Sequence, residues 1–590
     1  MKELKHKIIS VVVAIVLILV IIAIAFGGKI YESIKSGEEI NMRWFLALLY
    51  PDKYSYSVET ADLNEYYQIF SPEDIAIVLQ NERIEDRGKL LDGVVYFSFD
   101  TVERLFTDRF YVNEEEGVLL YTTSTEVITV QIGEEFTGYE AGGTVTPTDY
   151  PIARYYSDGT LLVAADYVQK YADFSYEFYA DPNRMQVYTV WEEERQAQVL
   201  DDTQVRYQGG IKSDVLREVA AGETVVVLEI METWTKVKTY DGFIGYIEND
   251  YLSDYVMVTP GAVTGAYRPE EDYSMGVSGN QIIVAFHQIF SEDDGSGLNS
   301  LLETTSGIDV VVPTWFYLDS EEGTFTSLAN YSYVENAHAR GLQVWGLLED
   351  MTNDFDEYAL FASSENRRAL IDNLINTAVE YGLDGLNIDC EEVGRETGPH
   401  YVQFLRELSI ETRAHGLILS VDNYVLNEGN LYYDLGEQGL ITDYVIVMGY
   451  DEHWAGSEAG SVASIDFVER GISSAIEAGV PAAKLINGVP FYTRIWRTEG
   501  VETNSEAVGM DTTQEWLANR GITPTWDDVC CQYYASYQDG TAFFEVWVED
   551  AQSLETKLSV MDNYGVAGVA AWKLGLESSD VWAIIEAYMN

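Results

Sequence analysis

The stretch Tyr381-Gly382-Leu383-Asp384-Gly385-Leu386-Asn387-Ile388-Asp389-Cys390-Glu391-Glu392-Val393 decides how the chain is read. If 383–391 is a β-strand, its side chains alternate between two faces. Asn387, Asp389 and Glu391 then share one face, and Leu386, Ile388 and Cys390 share the other. Three polar groups on one face of an apolar strand are costly to bury without partners. Crowded carboxylates also push each other's pKa values apart, a property that acid–base chemistry uses. A strand with a solvated face is the competing reading. It is disfavoured because the opposite face is apolar and the flanking segments are amphipathic.

Outward from that stretch, apolar runs alternate with helical patterns. Strands are predicted at Ile282–Ile289, Val310–Leu318, Leu342–Leu348, Gly385–Glu391, Leu417–Tyr424, Val445–Tyr450, Leu485–Tyr492 and Val566–Trp572. Helices are predicted over Arg367–Tyr381 and Tyr401–His415. Strands alternating with helices imply a parallel sheet, and eight such units imply an α/β fold of the (β/α)8 TIM-barrel type. The barrel is assigned to 280–590, with an insertion near 497–548 in the long last interval. Active sites of such barrels lie at the C-terminal ends of the strands. Glu391 ends one strand and Tyr450-Asp451 ends another, so the two should meet at one face.

Four motifs in order, Asp384-Gly385-Leu386-Asn387-Ile388-Asp389-Cys390-Glu391, Met448-Gly449-Tyr450-Asp451, Gly488 to Arg494 and Ala570-Ala571-Trp572, together resemble those of glycoside hydrolase family 18, in its bacterial cell-wall and spore-cortex branch. The family pattern Asp-Gly-x-Asp-x-Asp-x-Glu reads here Asp384-Gly385-Leu386-Asn387-Ile388-Asp389-Cys390-Glu391. Met-x-Tyr-Asp reads Met448-Gly449-Tyr450-Asp451, and a third motif reads Gly488-Val489-Pro490-Phe491-Tyr492-Thr493-Arg494. Ala570-Ala571-Trp572 matches the tryptophan on which the reacting sugar rests. The resemblance implies a retaining mechanism in which the substrate's acetamido oxygen is the nucleophile, an exception to the two-carboxylate scheme. It assigns Glu391 as general acid and then base, Asp389 as partner of the acetamido N–H, and Tyr450 as partner of the acetamido carbonyl. It places Asn387, Asp384, Met448, Asp451, Tyr492, Arg494 and Trp572 around the substrate. No metal or cofactor is implied. The family usually has Asp where this chain has Asn387, and that carboxylate exchanges a proton with the next one. An amide neither titrates nor shares charge, so retained activity with an altered pH profile is expected.

The 590 residues carry a net charge of −63, which argues against nucleic-acid binding and against docking on anionic headgroups. Cys390, Cys530 and Cys531 offer no disulfide framework and read as buried free thiols. His287, His400, His415 and His453 lack metal-ligand spacing. Trp315, Trp345, Trp454 and Trp496 are either core or subsite residues, and Glu349, Asp350 and Glu392 read as rim charges.

The N-terminal part divides as follows. Residues 1–7 form a lysine-bearing cytoplasmic tail, and 8–26 an apolar run of 19 residues, Ile8 to Phe26, near the length that spans a membrane. That run predicts a single-pass anchor with the catalytic part extracellular. Cleavage after Ala23-Ile24-Ala25 and secretion is the alternative. Residues 27–200 contain two similar strand–helix–strand stretches, Val94–Thr123 and Leu161–Val190, which predict a duplicated small α+β module with Asp100 and Asp166 as N-caps. They loosely resemble the repeated module at the N-terminus of copper amine oxidases. Residues 201–256 resemble a bacterial SH3-like domain, with a tight turn between Gly242 and Gly245. Residues 257–279 carry a linker composition. The expected partner is an N-acetylglucosamine-containing polysaccharide, either peptidoglycan or chitin, cut at β-1,4 bonds. A barrel that binds glycan without cutting it is the competing class.

Overall fold

The computed structural model describes residues 42–260, 273, 281–291 and 294–588, with scattered positions between 13 and 31. The predicted anchor at 8–26 and the linker at 257–279 lie mostly outside the described residues. Among the described residues no helix is long and apolar enough to cross a membrane. The chain forms two compact units, 1–108 with 150–268, and 109–149 with 269–590.

The second unit is built on eight parallel strands: β1 (Ile282–His287), β2 (Val310–Leu318), β3 (Gln343–Glu349), β4 (Gly385–Asp389), β5 (Ile418–Tyr424), β6 (Tyr444–Met448), β7 (Leu485–Pro490) and β8 (Gly568–Trp572). Each pairs in parallel with the next, and β8 pairs with β1, so the sheet closes into the predicted barrel. The inner core stacks Val284 and Phe286, Val310 and Val312, Trp345 and Leu347, Tyr444 and Ile446, Ile486 and Ala570. The predicted helices run Ser364–Tyr381 and Gly398–His415. Each stops at a glycine in left-handed geometry, Gly382 at φ +70° and Gly416 at φ +71°.

The N-terminal end of the barrel carries a repeated device. An aspartate just before each of β2, β4 and β6 accepts the N–H of the second residue of the preceding strand. Asp309 Oδ2 takes Ile283 N (2.8 Å), Asp384 Oδ2 takes Val344 N (2.8 Å), and Asp443 Oδ2 takes Leu419 N (2.9 Å). Each bond satisfies a backbone donor that would otherwise lie at an open strand end.

The insertion starts earlier than predicted. Strand Tyr492–Glu499 follows β7 almost directly and opens a five-stranded antiparallel sheet that also holds Glu502–Gly509, Thr525–Asp527, Gln532–Asp539 and Ala542–Val548. A buried ion pair, Lys557 Nζ to Glu549 Oε1 at 2.8 Å, anchors its return to the barrel.

The segment 109–149 belongs with the barrel. It forms its own five-stranded sheet, Phe110–Asn113 through Thr144–Pro147. Arg109 pairs with buried Glu437, which also holds Arg406, and Gln403 donates to Thr122 Oγ1 (2.9 Å). Arg413 donates to the carbonyl of Ser124, and Tyr273 is buried in the barrel's outer core.

In the first unit the expected duplication is not found. Val94–Ser98 and Leu161–Ala164, read as the starts of two modules, pair antiparallel in one seven-stranded sheet. Val118–Thr122, read as the end of the first module, lies instead in the sheet of the other unit. The caps differ as well. Ser98 caps helix Phe99–Leu105, and Ala164 precedes Ala165–Val168, so Asp100 and Asp166 fall inside the first turns. The SH3-like strands Thr224–Ile230, Trp234–Thr239 and Ile244–Glu248 form a meander. Gly242, at φ +85°, makes the turn, whereas Gly245 lies inside a strand, where a Cβ would stand 2.4 Å from the Arg206 carbonyl.

Candidate active site

Period-two alternation sends Asn387 and Asp389 of β4 inward, and Glu391 follows just beyond the strand end. The neighbouring strands bring further polar groups to the same height. Glu349 ends β3 in register with Asp389, and Ser420, Asp422 and Tyr424 alternate along β5. A cavity of about 1010 Å³ opens above them at the C-terminal end of the barrel. Glu349, Asp389, Glu391, Asp422, Met448, Tyr450, Asp451, Arg494 and Trp572 all contribute to its wall.

The polar groups are tightly organised. Asp350 is 2% exposed; its Oδ1 accepts Glu391 N (2.8 Å) and its Oδ2 accepts Glu392 N (3.1 Å). It therefore fixes the backbone that carries Glu391. Glu349 Oε2 accepts Met351 N (2.7 Å) and Thr352 N (3.0 Å), which shapes the β3 rim. Tyr492 donates its hydroxyl to Asp451 Oδ1 (2.7 Å), and Arg494 stands 3.8 Å from the same atom. Tyr450 is buried against Tyr492 with ring centroids 6.4 Å apart. Trp572 lies across the barrel mouth against Phe286, with centroids 5.4 Å apart.

Burial raises the carboxyl pKa values of Asp350, Asp389, Glu391 and Asp422. Asp389 is pushed well above the usual range, first by burial and then by the charges of Asp422 and Glu391. Asp422 is also raised by burial, against the hydrogen bond from Asn387. Glu391 is raised by burial, with a hydrogen bond from Tyr424 opposing. Asp350 is pushed up to about 7 by burial, against its two backbone N–H bonds. A carboxyl held protonated near neutral pH can donate a proton to a leaving group.

The cluster brings together most of the residues singled out from the sequence: Glu391, Asp389, Tyr450, Met448, Asp451, Arg494 and Trp572 line one cavity. Three others take different places. Asp384 sits at the opposite end of β4, bonded to Val344 N and to His338 Nε2 (2.8 Å), because it precedes the strand by one residue. Asn387 is fully buried beneath the cavity, where it donates to Ser420 Oγ (3.0 Å) and Asp422 Oδ1 (2.9 Å). Tyr492 stands behind Asp451 and acts on it by its hydroxyl bond.

Glu349 and Asp350 are buried and are not rim charges. Trp315, Trp345 and Trp496 are core, while Trp454, 56% exposed, lines the cavity. Cys530 and Cys531 are only half-buried. Sequence reasoning missed Asp422 and Tyr424, although the alternation Ser420, Asp422, Tyr424 was visible in the predicted β5. The same period-two rule applied there would have found them.

A closed (β/α)8 barrel whose carboxyl cluster and aromatic floor meet at the C-terminal mouth has the architecture of a glycosidase. Residues 278–577 match the family model for glycosyl hydrolases family 18, and the chain belongs to that family. Residues 201–253 match the bacterial SH3 domain model. The chain is 28% identical over 225 residues to a cortical fragment-lytic enzyme of Bacillus anthracis, covering 36% of this chain and 52% of that protein. It is 25% identical over 316 residues to the uncharacterized glycosylase YvbX of Bacillus subtilis (strain 168), covering 50% of this chain and 89% of that protein. Among solved structures, the spore cortex-lytic enzyme SleL of Bacillus cereus aligns at 20% identity with a TM-score of 0.47, over 56% of this chain and 77% of that one. The chain spans about half the length of the cortical fragment-lytic enzymes it matches.

Proposed function

We propose that the barrel hydrolyses β-1,4 bonds next to N-acetylglucosamine by substrate-assisted retention, with peptidoglycan as its substrate. The observation that carries this reading is the meeting of Glu391, Asp389, Tyr450 and Trp572 on one cavity. Glu391, with its raised pKa, protonates the departing glycosidic oxygen. The acetamido oxygen of the sugar then closes on its own anomeric carbon. Asp389 holds the acetamido N–H and balances the positive charge of the oxazolinium ion. Tyr450 fixes the acetamido carbonyl, Trp572 floors the ring, and Met448, Asp451 and Arg494 contact the sugar or its neighbour. Glu391, now a carboxylate, activates the incoming water.

Three features favour the cell wall over chitin: the match to a bacterial SH3 domain, the relatives named for cortical fragments, and the cations in the cavity wall. Among the wall residues Arg470 and Arg494 are the cations. Arg470 stacks over Phe467 at 5.2 Å from the ring centroid and suits the carboxylates of wall peptides, which chitin lacks. The apolar run Ile8 to Phe26 favours a single-pass anchor that holds this activity outside the cell.

The test is release of soluble sugar from purified wall and from chitin oligomers by wild type and Glu391→Gln. Wild type should release fragments from wall faster than from chitin, and the variant from neither. Equal turnover by the variant, or no product from either substrate with wild type, would sink the reading. A faster rate on chitin would favour the chitinase alternative.

A further inference from the structure

Asn387 leaves the cluster one carboxylate short at the place where the family pattern has one, and the structure holds an extra carboxylate one strand away. Asp422 is on β5, 4% exposed, and lines the cavity beside Asp389, itself 5% exposed. Asn387 bridges the strands, since its Nδ2 donates to Ser420 Oγ and to Asp422 Oδ1. Asp389 Oδ1 is buried and has no hydrogen-bond partner among the described residues. After burial, the charge of Asp422 is the largest influence on Asp389. Two carboxylates crowded together and buried to this degree do not both ionise, so one proton stays with the pair.

We propose that Asp422 is the proton partner of Asp389, a carboxylate moved from β4 to β5 and held in place by Asn387. The proposal rests on the family 18 mechanism described above. While the oxazolinium ion exists, the shared proton resides on Asp422 and Asp389 faces the cation as a carboxylate. When water opens the ring, the proton is again shared. The pair neither gains nor loses a proton over the cycle, so no further reactant is needed. Asp422 is a positioning residue in this scheme, because it acts through Asp389. Asp422 faces Asn387 and Asp389 on β4, Glu391 beyond its end and Tyr450 after β6, while Asp389 is also faced by Tyr424 on β5 and by Glu349 and Asp350 at the β3 end. Arg494 and Arg470 are the nearby cations of the cavity wall.

The test moves the carboxylate back. Asp422→Asn should lower kcat about tenfold with KM little changed. It also removes a negative neighbour, so the acid limb of kcat/KM should move to lower pH by about one unit. The double variant Asn387→Asp/Asp422→Asn restores a carboxylate beside Asp389 and should recover kcat to within about threefold of wild type. A double variant no better than Asp422→Asn, or an Asp422→Asn enzyme with the wild-type rate and profile, would overturn the proposal. If Asp422→Asn does not fold, Asn387→Asp alone decides. A third carboxylate should push the acid limb to higher pH, and an unmoved limb counts against the pairing. Glu391→Gln is the control. Wild-type turnover by that variant would break the family mechanism itself, whereas a dead Glu391→Gln beside an indifferent Asp422→Asn breaks only the pairing.

Discussion

Asp384 and Asp389 stand at opposite ends of β4 and do different work. Asp384 accepts the N–H of Val344, as Asp309 and Asp443 accept those of Ile283 and Leu419. Each of these carboxylates closes an open strand end. At the other mouth Asp389, Asp422, Asp350 and Glu391 crowd together, and burial raises every one of their pKa values. The contrast teaches that a carboxylate's role here follows from its height along the barrel axis. At the N-terminal end each aspartate stands apart and meets a backbone donor, whereas at the C-terminal end the carboxylates crowd one another, even where, as at Asp350, they also accept backbone N–H groups.

The largest effect should come from the crowded end. Glu391→Gln removes the proposed proton donor and should lower kcat by about 10² to 10⁴ at unchanged fold, read by product release and circular dichroism. Asp350→Asn keeps the shape but leaves one acceptor where two backbone N–H groups need one each. It should lower kcat about tenfold by loosening Glu391, with the fold retained. A wild-type rate in Asp350→Asn would mean that the backbone of Glu391 is held by other means.

At the stapled end the effect should be on stability alone. Asp384→Ala leaves Val344 N without its acceptor and should cost about 1–2 kcal/mol in denaturant unfolding while kcat stays at the wild-type value. A loss of activity at intact stability would mean that Asp384 reaches the substrate after all.

The smallest effect distinguishes the two ends by pH. The folded-state pKa of Asp422 is raised, so the native state holds a proton that the unfolded chain releases. Its contribution to stability is therefore greatest below the unfolded value of about 4 and is lost as pH rises through the folded value. Asp422→Asn removes that dependence and should raise the midpoint of thermal unfolding by about 2 °C at pH 8, with the gain fading toward pH 4. The same gain at both pH values would point to packing and not to charge.

Much of this contrast was legible in the sequence. The eight apolar runs fixed the strand count, and alternation along Gly385–Asp389 turned Asn387 and Asp389 inward. Asp384 was misplaced because the motif says which residues occur together and not at which end of the strand each one stands. Asp350 went unrecognised because its partners are the backbone N–H groups of Glu391 and Glu392, which leave no mark on its own surroundings in sequence. The segment 109–149 was assigned to a duplicated module because a local strand pattern does not say which sheet a strand joins. Its place is set by distant partners such as Glu437 and Gln403. Asn387 looked like a simple loss until Asp422 was found at the other end of its hydrogen bond.

The central proposal is that the substrate's own acetamido group, held by Asp389 and Tyr450, attacks the anomeric carbon after Glu391 gives up its proton. The most direct measurement is proton NMR of the newly released reducing end during the first minutes of hydrolysis of a wall-derived or chitin oligosaccharide. Two inversions at one carbon predict that the β-anomer is formed first and then equilibrates. First release of the α-anomer would mean direct attack by water and would contradict the account.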